Sequence, residues 1–188
     1  MDWSGQSVVI VASGPSLTHE DCRTVERSGL TTVAVNTAWT YARFCHAIYA
    51  GDMTWWRNYG ANIDIDVPRY TLSQGAAHDF GIKHHKSRIS SGYNSGLMAL
   101  EMAINFGAAR VLLLGFDFSV KNGTHCHGDH KKTPNPTQAK CDMWKDYAQR
   151  LRDAYPDAEI VNCSRETECN VFPRMSLDAA IGASATGA

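Results

Sequence analysis

The chain has no apolar run long enough to cross a bilayer, and its first residues, Met1-Asp2-Trp3-Ser4-Gly5, carry neither a basic stretch nor an apolar core. These absences argue against a membrane span and a secretory leader, so the expectation is a cytoplasmic protein. There is almost no excess of charge: 18 Lys and Arg against 19 Asp and Glu leave a net charge of −1. That balance gives no electrostatic basis for wrapping nucleic acid. The cysteines at 22, 45, 126, 141, 163 and 169 include no CxxC pair and follow no regular spacing. They read as reduced thiols. Neither GxGxxG nor GxxxxGK followed by Ser or Thr occurs, so the two strongest phosphate-loop signatures are missing.

What is present is an ordinary globular composition, 44% apolar and 20% charged over 188 residues, the length of one domain. Apolar β-branched runs alternate with helical periodicity. Strands are expected over Ser7–Ala12, Thr31–Val35, Ala47–Ala50, Pro68–Leu72, Val111–Leu114 and Glu159–Val161, with a further short one at Gly81–Lys83. Helices are expected over His19–Ser28, Thr37–Phe44, Met53–Tyr59, Ser95–Phe106 and Thr137–Ala154. Residues 119–136 read as a long polar loop, and 184–188 as a disordered tail of small residues. This order predicts a single α/β domain over 1–183, built on a doubly wound, mostly parallel, Rossmann-like sheet.

Ligands of such sheets gather at the carboxyl ends of the strands. Those ends carry Ser13 and Gly14, Asn36, Asp52, and Gly115 with Asp117. The first is the most informative. Val8-Val9-Ile10-Val11 runs into Gly14-Pro15-Ser16, and Thr18 then caps a helix with Glu20 and Asp21 in its first turn. Strand, glycine turn and helix form an arrangement in which backbone N–H groups face a phosphate. Asn36 fits a ribose or base edge and equally fits a turn.

Four segments in this order resemble the bacterial sialyltransferases that use CMP-activated sugar, and the related motility-accessory-factor and hydroxymethylpterin-pyrophosphokinase-like proteins. They are Val8–Leu17, Asn36, Asn94-Ser95-Gly96, and Gly107-Ala108-Ala109-Arg110-Val111-Leu112-Leu113-Leu114-Gly115-Phe116-Asp117-Phe118. The resemblance spans roughly residues 7–118. It implies a nucleotide site made of Gly14, Pro15, Ser16, Asn36, Ser95, Gly96, Gly115 and Asp117. The chain departs from the family where Ser13 replaces an asparagine. It departs again where Ser119-Val120-Lys121-Asn122-Gly123-Thr124-His125 brings no tyrosine. The short form looks like small phage-encoded relatives.

A second signal is Thr124-His125-Cys126-His127-Gly128-Asp129-His130-Lys131-Lys132, which concentrates three histidines on the long loop. Imidazole is the usual base for an acceptor hydroxyl, and His127 and His130 are the candidates. The same histidines have the ligand count for zinc, so a metal reading competes, as does a solvated loop. No metal ligand is assigned at this point. Gly123 and Gly128, with few apolar neighbours, lead to the expectation of a mobile loop.

The expected function is a nucleotide-dependent transferase. It would move a sugar from a CMP- or UDP-type nucleotide-sugar donor to an unidentified acceptor hydroxyl, with no further cofactor. Two alternatives stand beside it. One is a diphosphate-transferring kinase using ATP and Mg²⁺, held by Asp52 and Asp117. The other is a non-catalytic nucleotide-binding module. A homo-oligomer is left open.

Overall fold

The computed structural model describes residues 1–89 and 94–185. Seven strands form one sheet: β1 (Ser7–Val11), β2 (Thr31–Val35), β3 (Ala47–Tyr49), β4 (Arg69–Thr71), β5 (Lys83–His84), β6 (Arg110–Leu114) and β7 (Glu159–Asn162). All adjacent pairs are parallel, in the order β5-β4-β3-β2-β1-β6-β7. The helices are α1 (His19–Ser28), α2 (Met53–Tyr59), α3 (Gln74–Phe80), α4 (Ser95–Asn105), α5 (Gln138–Ala154) and α6 (Leu177–Ala185). The winding reverses between β1 and β6, which makes the carboxyl ends of those two strands the topological switch point.

The central strands are apolar throughout because both faces of the sheet are covered. Val8 and Ile10 of β1 pack with Val33, Leu100 and Leu151 beneath α4 and α5. Val9 and Val11 point the other way, to Cys22, Val25, Trp56 and Ala180 beneath α1, α2 and α6. Each of these four β1 side chains is fully buried, which contributes about 1.5–3 kcal/mol per side chain. Local signals set the ends of α1. Thr18 accepts from the Asp21 amide, and the Asp21 carboxylate accepts from the Thr18 amide. Gly29 closes the helix in the left-handed region at φ 66°.

Five features differ from expectation, the helix α6 as a whole among them. Residues 36–40 form a 3₁₀ turn rather than a helix reaching Phe44. The short helix α3 was not anticipated; it buries only Ala76 and contains Gly75, so it has almost no periodicity to read. β5 lies at Lys83–His84, two residues beyond its expected start. Ser184 and Ala185, expected in a disordered tail, end α6; Arg110 ties that helix to the sheet, its Nη1 donating to the Ala180 carbonyl at 2.9 Å and to Ser184 Oγ at 3.2 Å. Residues 186–188 lie outside the described residues. Among the described residues no helix is long and apolar enough to cross a membrane, and all six cysteines are unpaired.

Candidate functional site

A cavity of about 350 Å³ opens at the carboxyl ends of β1, β2 and β6. Ser13, Gly14 and Pro15 line it after β1, Asn36 after β2 and Asp52 after β3. Gly115 and Asp117 line it after β6, and Ser95 and Gly96 close it from the start of α4. Residues from distant parts of the chain thus meet at one place, as the strand order requires. Ser16 is not on the wall, and neither is His127, whereas His130 and His125 are.

The turn after β1 is occupied by the protein itself. The Gly14 amide donates to the Gly115 carbonyl at 2.9 Å and the Leu17 amide to the Gly14 carbonyl at 3.0 Å. Ser16 donates twice to Asp117, from its amide to Oδ2 at 2.7 Å and from its hydroxyl to Oδ1 at 2.8 Å. Pro15 has no N–H to offer. The first turn of α1 is closed by Asp21, which also pairs with Arg165 at 2.9 Å. The amides of Gly14, Ser16 and Leu17, expected to face a phosphate, are bonded within the protein, and Ser16 grips Asp117. Gly14 is required by that clasp, since a Cβ there would lie 2.3 Å from Asp117 Oδ1 and 2.4 Å from the Gly115 oxygen. Burial pushes the Asp117 carboxyl up to about 6, against the two Ser16 hydrogen bonds that pull it down.

Other walls keep uncommitted groups. Asn36 holds a left-handed backbone at φ 50°, and its buried Oδ1 has no hydrogen-bond partner among the described residues. Trp55 presents an indole N–H that is likewise buried and unpartnered. At α4, Asn94 caps the helix by accepting from the Leu97 amide at 3.0 Å. The Ser95 hydroxyl accepts from the Gly51 amide at 2.9 Å. Gly96 must be bare, because a Cβ would come within 2.9 Å of Phe116. Lys140 of α5 lines the same wall. Asp52 is largely an N-cap, accepting from the Trp55 amide at 2.7 Å.

The long loop folds its histidines together at one side of the cavity. The His125 and His127 rings stack with centroids 5.0 Å apart and 12° between planes. His130 lies 4.5 Å from the first and 4.9 Å from the second. The loop is tied down rather than free, contrary to expectation. The Cys126 amide donates to the Ser13 carbonyl at 2.9 Å, and the Tyr41 hydroxyl to the Cys126 carbonyl at 3.0 Å. The Lys132 amide donates to the Tyr59 hydroxyl at 3.0 Å. Partners for this loop lie far away in sequence, so its own composition does not reveal them. Burial, reinforced by the two neighbouring imidazoles, lowers His125 to about 4. Burial also lowers His127 and His130. Burial holds the Cys126 thiol up at about 11, far from a thiolate nucleophile.

No protein-family model matches the chain, and neither does any curated protein sequence. Solved structures do match. The fold is similar to that of a MAf glycosyltransferase. That protein, from Magnetospirillum magneticum AMB-1, aligns over 98% of this chain with a TM-score of 0.65 and 13% identity. This chain spans 37% of the length of the MAf glycosyltransferase. A UDP-glucose 4-epimerase aligns over 82% of this chain and 50% of its own, with 14% identity and a TM-score of 0.35, too slight to bear on function. At 13% identity the likeness to the MAf glycosyltransferase is one of fold: an α/β layer structure wound about a parallel sheet.

Two further polar side chains lie away from the cavity. Asp64 pairs with Arg43 at 2.9 Å on the surface. His85 is buried against the Tyr49 hydroxyl at 3.3 Å and Asn105 Nδ2 at 3.2 Å. Conversely, Lys140 and Trp144 reach the cavity from α5 without any motif to mark them. Asn94, which opens the α4 segment, lines the cavity as well as capping the helix. Trp55 belongs to an aromatic run that reads equally well as core.

Proposed function

We propose that this chain binds a nucleotide-sugar in the β1–β6 cavity and transfers the sugar to an acceptor hydroxyl. The observation that carries the reading is the convergence of four separate segments, at Ser13–Pro15, Asn36, Ser95–Gly96 and Gly115–Asp117, on one cavity at the switch point. The glycosyltransferase-type fold agrees with it. The donor's phosphate would meet the N-terminal turn of α4 and Lys140, which replace the β1 turn in that role. Asn36 and the Trp55 indole, with unpartnered polar atoms, would meet the ribose and base. In the transfer, the acceptor oxygen bonds to the anomeric carbon as the bond from that carbon to the phosphate oxygen breaks. The acceptor proton passes to His130, the one of His127 and His130 that lines the cavity. His127, packed behind it, positions the ring.

The diphosphokinase alternative draws less support. It asks Asp52 and Asp117 to hold Mg²⁺, yet Asp117 uses both oxygens on Ser16 and Asp52 caps α2. Thermal unfolding with CMP, UDP, GDP and ATP, each with and without Mg²⁺, separates the readings. A nucleotide at a hundredfold excess over its Kd adds about 2.7 kcal/mol. That raises the melting temperature by about 5–10 °C for a chain of this size. Metal-independent stabilisation by CMP or UDP, weakened in Asn36→Ala and Lys140→Ala, is the expected result. Stabilisation by ATP and Mg²⁺ alone would move the assignment to the kinase. No response to any nucleotide would overturn the reading.

A further inference from the structure

We infer that His125, His127 and His130 together bind one divalent transition-metal ion of the zinc class. One candidate nitrogen from each ring lies within 4.8 Å of the other two. Zn–N bonds of about 2.0–2.1 Å place tetrahedral ligand atoms about 3.4 Å apart, so ring rotations that close the set by at most about 1.4 Å complete the geometry. Two of the rings already display the need for a partner: His125 Nε2 and His127 Nε2 are buried and have no hydrogen-bond partner among the described residues. Buried polar atoms normally have a partner, and two orphans in one cluster point to a shared one supplied from outside.

The surroundings suit an ion. Ser13 Oγ lies 3.1 Å from His125 Nδ1 and orients that ring so that Nε2 is left for a ligand. Such outer hydrogen bonds are the usual support of a metal-bound histidine. Gly128 at φ 79° and its amide bond to the His125 carbonyl at 3.0 Å turn the chain so that His130 returns to the pair. The Asp129 carboxylate is engaged by the Thr124 hydroxyl and is not part of the set. A ligand set of three neutral imidazoles suits zinc, cobalt, nickel or copper rather than magnesium or calcium. Three protein ligands leave a position open, as in catalytic rather than structural zinc sites. His125 and His130 also line the cavity, so that position adjoins it.

The inference stands apart from the transferase reading, because an ion held here needs no nucleotide. Where both hold, His130 is a ligand rather than a free base. An ion held by the three histidines would supply Lewis-acid chemistry toward an acceptor hydroxyl.

The test uses the full chain, stripped with EDTA and free of nucleotide. Zn²⁺ is titrated against a chromophoric chelator, and Co²⁺ is added separately for its visible spectrum. One equivalent of Zn²⁺ per chain is expected, with Co²⁺ bands of tetrahedral intensity and no thiolate charge-transfer band. Loss of an outer-shell partner costs about 10–100-fold in metal affinity, so Ser13→Ala should weaken binding about tenfold and His127→Ala about a hundredfold or more. Circular dichroism checks that each variant folds. If His127→Ala does not fold, Ser13→Ala and the Co²⁺ spectrum of the unaltered chain still decide. Substoichiometric binding, octahedral Co²⁺ bands of the hydrated ion, or unchanged affinity in folded His127→Ala would each overturn the inference. A thiolate band would reassign the site to Cys126 and overturn it as well. Nucleotide stabilisation is measured separately, so either reading can fail while the other stands.

Discussion

Gly14→Ala tests the clasp between the β1 turn and Asp117 with a single methyl group. The backbone of Gly14 is not in the left-handed region, so no conformational penalty accompanies the change and the cost is steric. The new Cβ would lie 2.3 Å from Asp117 Oδ1 and 2.4 Å from the Gly115 carbonyl oxygen, both well inside contact distance. Moving the carboxyl away sacrifices the two hydrogen bonds from Ser16, each worth about 1.5 kcal/mol or more to a charged group. Displacing the Gly115 carbonyl adds an overpacking term of about 1–3 kcal/mol. The expected loss is therefore about 4–6 kcal/mol, a large share of the 5–15 kcal/mol that holds a domain folded. At about 2–4 °C per kcal/mol, the melting temperature falls by about 8–24 °C. Urea unfolding of the ligand-free protein, followed by circular dichroism, measures it. The same substitution in an Asp117→Ala background should cost less, because only the Gly115 contact remains. A loss below about 1 kcal/mol in the parent, or an equal loss in both backgrounds, would refute the clasp as the reason for glycine.

Two further outcomes follow from the raised and lowered groups of the site. Asp117 is held near 6 in the folded chain against 3.8 for a free aspartate. Its contribution to stability is full below pH 3.8 and lost as pH rises through 6, about 3 kcal/mol in all. Asp117→Asn should flatten that decline in urea melts at pH 4, 5, 6 and 7; an unaltered slope would place the ionisation elsewhere. Burial lowers His130 from 6.5, so the transfer proposed for the metal-free chain should be lost only below that pH, where imidazolium cannot accept a proton. His130→Asn should lower kcat by about 10²–10⁴-fold with nucleotide affinity unchanged, and full turnover in that variant would remove the base role.

What could be read without a structure was mostly local. Thr18, Gly29 and the Val8–Val11 run carry their own instructions, so α1 and β1 sit at or within a residue of their expected limits. α6 hides because Leu177 and Ala180 bury it through contacts with α1 and β6 rather than through periodicity. The β1 turn misleads for a different reason. Its amides look available until Asp117, a hundred residues downstream, takes one of them. The histidines show the same limit: spacing ranks His127 and His130 alike, and only the path of the loop puts His130 on the cavity and His127 behind it. Long-range partners decide such questions, and one sequence does not contain them.

The position of β1 between β2 and β6 also bears on how the chain acquires its shape. Val8 to Val11 pair with Thr31 to Ala34 on one side and with Val111 to Leu114 on the other. The first partner follows within about twenty residues, the second only after about a hundred. At a synthesis rate of about 5–20 residues per second, one edge of β1 waits about 5–20 s for its neighbour. Throughout that interval its apolar strand is an unpaired edge, open to association with other nascent chains. A chain stalled or truncated before Leu114 should therefore aggregate rather than fold into a smaller version of the sheet, and the cavity is among the last features to exist.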